Sequence, residues 1–330
     1  MERSPAPTIQ KRRIDSIDLF KGIAIIVIAW KHTIHPQCLD LVNVSSLFFI
    51  ISGIFIKDEP FLPFLRKKIR TILVPFLFFY LLSYLARIVF YIGHHRTLCG
   101  FDWGILWDLF TISDNAHYLS VNIPLWFLVC LFVMEIIFWG LNRILKETKA
   151  RTYVLLAIIA VLYLFFEPIE NWRTPLMLNT AIESLPYFIM GNLFGLAISH
   201  YLIEATRPRF FIAVISIVLF TALQYLPFDI SVLPLFKSLS LFMALLAMLS
   251  YVEGNQSVIA RFVRTFGESS LLIMGVHVII LAPLQPIATA ITGSSNLLAG
   301  AIALALTLLV IYLLIPVVNK YIPWAVGKKK

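Results

Sequence analysis

Three ionisable residues share one stripe of the first apolar segment, DSIDLFKGIAIIVIAWKHT (residues 15–33). Asp18 precedes Lys21 by three residues, and ten residues separate Lys21 from His32. In a regular helix this spacing puts the three side chains on one side, with Lys21 and His32 about 16 Å apart along the axis. Ionisable groups inside a membrane span usually face a cavity or a partner, and histidine is well suited to take a proton near neutral pH.

The same pattern has a second interpretation. Asp18 and Lys21 lie at one membrane boundary, where the lysine extends to the surface, and His32 lies at the other boundary beside Lys31. Periodicity alone leaves both interpretations open.

A cluster of four cations stands at the predicted start of the third helix, in the sequence RKKIR (residues 66–70). Arg66 and Arg70 are four residues apart, Lys67 and Arg70 three, and both spacings place the side chains on a shared helix face. Such a cluster can hold phosphates, because arginine makes bidentate contacts and lysine adds a point charge. It is also typical of an ordinary positively charged anchor at the lipid phosphates, and the cluster alone favours that interpretation.

Two further polar positions interrupt apolar runs. Ser52 and Gly53 fall within FFIISGIFI (residues 48–56), where they indicate a close helix approach or a kink. His277 ends the segment FGESSLLIMGVH (residues 266–277), and a single membrane histidine is more often a packing residue than a catalyst. Three more ionisable residues lie inside apolar segments without a predictable partner: Arg87, Glu135 and Lys237.

Composition sets the class of protein. The chain has 330 residues, of which 60% are hydrophobic and only 14% charged, and its mean hydropathy is +0.88. An average soluble domain has roughly 25% charged residues, so these values predict an all-α polytopic membrane protein. The sequence contains no Walker loop, no Gly-x-Ser-x-Gly motif and no His and Cys set with metal-ligand spacing, and no metal site is predicted.

Apolar windows predict about ten transmembrane helices, at residues 16–35, 40–57, 69–92, 123–141, 152–167, 182–200, 210–227, 232–252, 269–291 and 296–319. With the N-terminus in the cytoplasm, 21 of the 27 Lys and Arg residues fall in cytoplasmic segments, 3 outside and 3 within spans. This asymmetry predicts ten helices with both termini cytoplasmic. It also argues against a nucleic-acid partner, because the net charge of +9 is spread over loops.

The predicted organisation is a disordered cytoplasmic tail (residues 1–13), a single ten-helix domain (residues 14–322) and a basic cytoplasmic tail (residues 323–330). Cys38 and Cys99 fall in connecting segments, and spacing does not decide whether they form a disulfide.

Taken in order, these segments resemble the acyltransferase family 3 integral-membrane proteins, particularly their fucose 4-O-acetylase-like branch. The first-helix segment resembles a family signature in which ten residues separate a basic residue from a histidine. FFIISGIFI, FLRKKIRTILVPF (residues 64–76), IPLWFLVCL (residues 123–131), LPYFIMGNLFG (residues 185–195) and GESSLLIMGVH (residues 267–277) resemble later family segments. The chain departs from the family with Lys31-His32 for the usual Gly-His, and with Lys67 for the first arginine of Arg-x-x-Arg.

The resemblance implies that the protein transfers an acyl group, usually acetyl, from cytoplasmic acyl-CoA to a hydroxyl of a cell-envelope or secreted glycan. It implies a bacterial inner-membrane location, contact with membrane lipids, and acetyl-CoA as a substrate rather than a permanently bound cofactor. His32 is then the general base, Lys21 holds the donor or stabilises developing charge, and Asp18 pairs with Lys21. The donor's phosphates would contact Arg66, Lys67, Lys68 and Arg70. The candidates for lining the reaction cavity are Ser52, Trp126 and His277.

Two other functions fit the sequence. One is a transporter or flippase of a lipid-linked glycan or a small solute, and the other is a structural membrane subunit. A new ester on the acceptor would separate the enzyme from both. Within the enzyme hypothesis, direct transfer is preferred to an acyl-enzyme, because no serine has a base at recognisable spacing.

Overall fold

The computed structural model describes residues 14–33, 43–109, 121–146, 148–164, 174–204, 206–226 and 231–328, and this part of the chain is all-helical. The predicted N-terminal tail and Cys38 lie outside these residues. The α-helices are α1 Asp15–Lys31, α2 Val44–Phe55, α3 Phe61–Lys68, α4 Val74–His95, α5 Trp126–Leu145, α6 Arg151–Leu164, α7 Leu178–Glu204, α8 Thr206–Gln224, α9 Leu233–Leu249, α10 Val258–Glu268, α11 Ser270–Thr292 and α12 Leu297–Tyr321. A π-helical turn, Ile69–Leu73, joins α3 to α4.

Five segments of the described chain are long and apolar enough to cross a membrane, which makes the protein a multi-pass membrane protein. They are Phe61–His95, Ile123–Leu145, Leu233–Val252, Ser270–Thr292 and Leu297–Tyr321. Each of the ten predicted spans overlaps a helix. Some of these helices are short, however: α2 has 12 residues, whereas a straight crossing needs about 20. The count of ten and the cytoplasmic termini therefore stay predictions.

The first helix, α1, is central to the bundle and packs against α2, α9, α10, α11 and α12. Its apolar residues Leu19, Phe20 and Ile25 are buried, which explains why the segment is almost continuously apolar. Asp18 is buried in the same helix with only 4% of its surface exposed. The Asp18 carboxylate is enclosed by the helices that pack against α1. The packing of these helices therefore determines which groups can contact it.

Close backbone contact fixes α10 against α1. A methyl group at Gly22 would overlap the carbonyl oxygen of Val263, and one at Gly267 would overlap the carbonyl oxygen of Asp18. The window analysis does not predict α10, because the helix has 11 residues and is amphipathic, with Arg261 and Arg264 among exposed apolar side chains.

A carboxylate from outside the helix caps the start of α1. Both oxygens of Glu253 accept hydrogen bonds, one from the backbone N–H of Asp15 at 2.9 Å and one from that of Ser16 at 2.8 Å. The first amides of a helix have no partner within it, and a negative charge there is favoured by the helix dipole. Asp15 also forms an ion pair with Arg264 of α10 at 3.2 Å.

The second helix crosses α7 at glycines on both sides. A methyl group at Gly53 would overlap the carbonyl oxygen of Phe188, and one at Gly191 would overlap that of Ile50. Small residues let helix backbones approach closely, which is the usual way that membrane helices associate. Of the two expectations for the Ser52–Gly53 pair, the structure contains the close approach, and α2 is continuous through it.

Residues Pro323–Val326, assigned by sequence to the C-terminal tail, form a 3-10 helix against α4, α12 and the π-helical turn. Pro323 and Ala325 are buried there.

Candidate active site

A polar cavity lies between α1, α2, α5, α11 and the segment from α3 through the π-helical turn. Its volume is about 300 Å³. We call it the main cavity. Its polar lining residues are Lys21, Ser52, Lys68, Thr71, Glu135 and Ser270. Three of the residues predicted for the site, Lys21, Ser52 and Lys68, are therefore brought together here.

Lys21 reaches the main cavity as one half of an ion pair. Its ammonium lies 2.8 Å from a carboxylate oxygen of Asp18, one turn earlier on α1. The Asp18 side chain is 5% exposed and that of Lys21 is 25% exposed, so the pair is shielded from bulk water. The ion pair that the spacing predicts is present, and it compensates the charge that Lys21 brings to the cavity.

A second ion pair crosses the main cavity from α3 to α5. The Lys68 ammonium lies 2.6 Å from Glu135 Oε1. The same ammonium stands over the Phe64 ring, 5.6 Å from its centre. The other carboxylate oxygen, Glu135 Oε2, is buried and has no hydrogen-bond partner among the described residues. Sequence analysis notes Glu135 as a charge in an apolar span but assigns it neither a partner nor a role.

The basic cluster at residues 66–70 is divided among different surroundings, and it does not stand at the start of a helix as predicted. The helix begins at Phe61, and the π-helical turn starts within the cluster, so regular α-helical spacing does not apply across it. Lys67 binds Glu59 at 2.9 Å and Lys68 faces the main cavity, whereas Arg66 and Arg70 are exposed.

Two histidines meet at the far end of α1. The ring of His32 contacts that of His277 in α11, with the ring centres 5.2 Å apart and the planes tilted by 54°. The apolar window predicts a first span that continues to residue 35, but α1 ends at Lys31 and His32 is its C-cap. The predicted base therefore stands at a helix end, where its side chain meets another helix.

Hydrogen bonds fix the His277 ring and the backbone at His32. His277 is completely buried, and its Nδ1–H donates to the Ile273 carbonyl oxygen at 2.7 Å. In a neutral imidazole this leaves the lone pair on Nε2, which has no hydrogen-bond partner in the described part of the chain. The Gln285 side chain donates to the His32 carbonyl oxygen at 2.8 Å and so ties α1 to α11. Sequence analysis misses Gln285, although it is an amide between two prolines in an apolar span.

The predicted site residues thus form two centres rather than one. Lys21 and His32 are eleven residues apart on α1, a separation of about 16 Å along the axis. The main cavity holds one centre and the histidine pair the other. Trp126, a predicted lining residue, packs against the rings of Phe49 and Phe127 at the start of α5.

An all-helical protein with membrane-length helices and buried ion pairs beside a cavity is a membrane protein built to bind or transform a ligand. Comparison with protein families gives the class of that chemistry. The family model described as an acyltransferase domain matches residues 14–316. The chain belongs to acyltransferase family 3, as its motifs predict, and it is an acyltransferase. The comparisons with curated proteins and with solved structures give no match.

Proposed function

We propose that this protein transfers an acetyl group from cytoplasmic acetyl-CoA to a hydroxyl of a cell-envelope or secreted glycan, with His32 as the general base. The observation that carries the proposal is the arrangement on α1. One end of this helix places Lys21 in the main cavity, and the other end places His32 against a buried histidine. The resemblance to the fucose 4-O-acetylase-like branch and the placement in a bacterial inner membrane belong to the same proposal.

The main cavity suits the uncharged arm of the donor better than its phosphates. Lys21 and Lys68 each face a carboxylate at hydrogen-bond distance, so the two cations add little net charge to the cavity. Apolar side chains form much of the remaining lining, including Phe48, Ile51 and Leu128. We assign the contacts with phosphate groups to the exposed Arg66 and Arg70.

The predicted topology is consistent with entry from the cytoplasm. With the N-terminus inside, α1 and α11 start on the cytoplasmic side and α2 and α5 end there. Lys21 is near the start of α1, Ser270 opens α11, and Ser52 is in the last turn of α2. The main cavity then lies toward the cytoplasm, where acyl-CoA is found, and the histidine pair lies deeper in the membrane.

The chemical step takes place at His32. One of its ring nitrogens removes the proton from the acceptor hydroxyl while the hydroxyl oxygen bonds to the thioester carbonyl carbon. The carbon–sulfur bond then breaks, and the CoA thiolate leaves and takes up the proton. His277 positions His32 by packing against its ring, and its own ring is held by the hydrogen bond from Nδ1–H to the Ile273 carbonyl oxygen. Lys21 is too far along α1 to serve the same carbonyl, so we assign it to holding the donor.

The geometry favours direct transfer over an acyl-serine. The hydroxyl of Ser52 donates a hydrogen bond to the Phe48 carbonyl oxygen at 2.9 Å, one turn earlier on α2. Activation of a serine requires a base that accepts this proton. Ser52 is therefore a lining residue, with its oxygen lone pairs available to a bound donor.

The test is a transfer assay in membranes with acetyl-CoA labelled on the acetyl group. Label is followed into the lipid-linked or polysaccharide fraction, and release by mild alkali identifies an ester. We expect His32→Ala to lower transfer at least about 100-fold, because general base catalysis contributes roughly 10²–10⁴-fold. His94→Ala is the matched control, since His94 is exposed at the end of α4.

Each outcome has a distinct meaning. Full transfer by a folded His32→Ala protein would reject His32 as the base and direct the search to His277. No label with the wild-type protein would reject acetyl-CoA or the glycan acceptor and would favour transport. Melting temperature and elution from a gel-filtration column show whether each variant is folded.

A further inference from the structure

A second cavity, of about 210 Å³, lies where α2 and α5 end. It is lined by residues from α5, α6 and α7 and by the chain that follows α2. Its lining residues with polar side-chain groups are Lys57, Asp58, Trp139, Asn142, Arg151 and Asn192. We call it the Arg151 cavity.

Arg151 is oriented by hydrogen bonds to side chains of α5 and α7. Its Nε and Nη2 donate to Asn142 Oδ1 at 3.1 and 2.9 Å, and Nη2 also donates to Asn192 Oδ1 at 2.6 Å. Both partners are neutral amides, and within the described residues no carboxylate forms an ion pair with this guanidinium. Nη1 takes part in none of these bonds. The cavity therefore contains an oriented cation with a donor edge available to an anion.

The carboxylate in the cavity is already neutralised. Asp58 lies 2.5 Å from the Lys146 ammonium, and this hydrogen bond holds the pKa of Asp58 below its usual range. Lys57 also lines the cavity and is exposed. The charges that remain are positive, so the site favours an anion over a cation.

An aromatic ring completes the lining. The indole N–H of Trp139 donates to the Glu59 carbonyl oxygen at 2.9 Å, and its ring packs against that of Phe61 with the centres 4.8 Å apart. These contacts fix the ring at the edge of the cavity. A fixed aromatic ring beside an arginine suits a ligand that joins a flat base to phosphates, because bases stack on aromatic side chains.

The Arg151 cavity lies directly beyond the main cavity. Glu135 and Asn142 are seven residues apart on α5, hence on the same face and about 10 Å apart along its axis. On α2, Ser52 lines the main cavity and Ile56, one turn later, lines the Arg151 cavity. A molecule with an anionic head and a long uncharged arm can occupy both.

We propose that the Arg151 cavity binds the phosphorylated adenosine of the acyl-CoA, with Arg151 on a phosphate and Trp139 beside the base. The inference rests on the proposed function, since that function supplies the donor. It adds a binding site formed by residues outside the basic cluster at 66–70. It also explains how a nearly neutral main cavity can bind a highly charged donor, because the phosphates of the donor lie outside the main cavity.

The experiment compares two donors in nanodiscs of phosphatidylcholine. Acetyl-CoA carries the nucleotide, and acetyl-pantetheine lacks it. We expect Arg151→Gln to lower the ratio of kcat/KM for acetyl-CoA to that for acetyl-pantetheine by about 10-fold to 100-fold, the range of one lost charge-assisted contact. Arg151→Lys should give an intermediate ratio, because lysine keeps the positive charge but cannot make the bidentate contact of a guanidinium. Lys149→Gln, an exposed cation two residues away, should leave the ratio unchanged.

A binding measurement separates this inference from the proposed function. Adenosine 3′,5′-bisphosphate is titrated onto the purified full-length protein by calorimetry, without acceptor or transfer. Weaker binding to Arg151→Gln supports the cavity even if the acceptor assay fails. Equal losses with both donors, or unchanged bisphosphate binding by a folded variant, would overturn the inference. Competition by phosphatidylglycerol in place of the bisphosphate would also overturn it and would assign the cavity to a lipid phosphate.

Discussion

Replacing Gly53 with alanine puts a methyl group where α2 and α7 cross. The methyl would overlap the Phe188 carbonyl oxygen and would lie only 3.0 Å from the carbonyl carbon and 3.1 Å from the backbone nitrogen of Asn192. Non-bonded carbon atoms are optimally about 3.5–4.0 Å apart. These atoms belong to backbone and cannot rotate away, so the two helices must separate by on the order of 1 Å.

The expected cost follows from two opposing effects. Overpacking of this kind destabilises by about 1–3 kcal/mol, whereas alanine is favoured over glycine within a helix by about 1 kcal/mol. The net loss is then about 0–2 kcal/mol relative to the wild type. Ser52 and Ile56 flank Gly53 and line the two cavities, so both cavities should widen. A displacement of 1 Å at a reacting centre can lower the rate roughly 100-fold.

The assay measures melting temperature and acetyl transfer for the same purified variants. Gly140→Ala is the matched control, because Gly140 is also within a helix but has nothing within 4 Å of an added methyl group. We expect the control to keep full activity and to be as stable as the wild type or slightly more stable. If Gly53→Ala has the melting temperature and activity of the Gly140→Ala control, the close crossing of α2 and α7 is wrong.

Three other changes test the contacts that position the site. Glu253→Gln removes the charge at the start of α1 and should lower stability by about 0.5–1 kcal/mol, read as a fall in Tm; an unchanged Tm would mean that the cap is not needed. Replacing Lys68 with Met or Glu135 with Leu should each destabilise by about 3–5 kcal/mol, and the double variant should recover most of the loss. Additive losses in that cycle would show that the pair is not coupled. The hydrogen bond from Lys67 holds the pKa of Glu59 below its ordinary value of 4.5. The stabilisation from this pair is therefore complete above about pH 4.5 and is lost as the pH falls through the lower pKa of the folded state. Glu59→Gln should reduce the acid-induced fall in Tm, and a profile identical to that of the wild type would count against the pair.

Local features of the site could be predicted from the sequence. The ion pair between Asp18 and Lys21 depends on a spacing of three residues within one helix, which the sequence shows directly. The apolar windows locate most helices, since burial and lipid contact both require apolar residues. The glycine at position 53 indicates close approach for a physical reason, because no other residue lacks a side chain.

Contacts between distant segments could not be predicted. Glu135 and Lys68 meet because α3 and α5 pack side by side. The sequence near each residue gives no indication of this contact. The contact of His32 with His277 depends on where α1 ends and on how α11 crosses it. The amphipathic α10 is missed because it is too short and too charged for a window chosen to find membrane spans.

Because of the π-helical turn Ile69–Leu73, the number of residues in this segment determines which side chains face the site. A regular helix rotates about 100° per residue, so the one additional residue in the turn puts the two sides of the segment out of phase. The earlier side presents Lys68 to Glu135, while the later side presents the Phe79 ring to the backbone at Gly275. Deletion of a single residue here would return the segment to one continuous α-helix. That helix could keep its contact with α5 or its contact with α11, but not both, even with every cation retained.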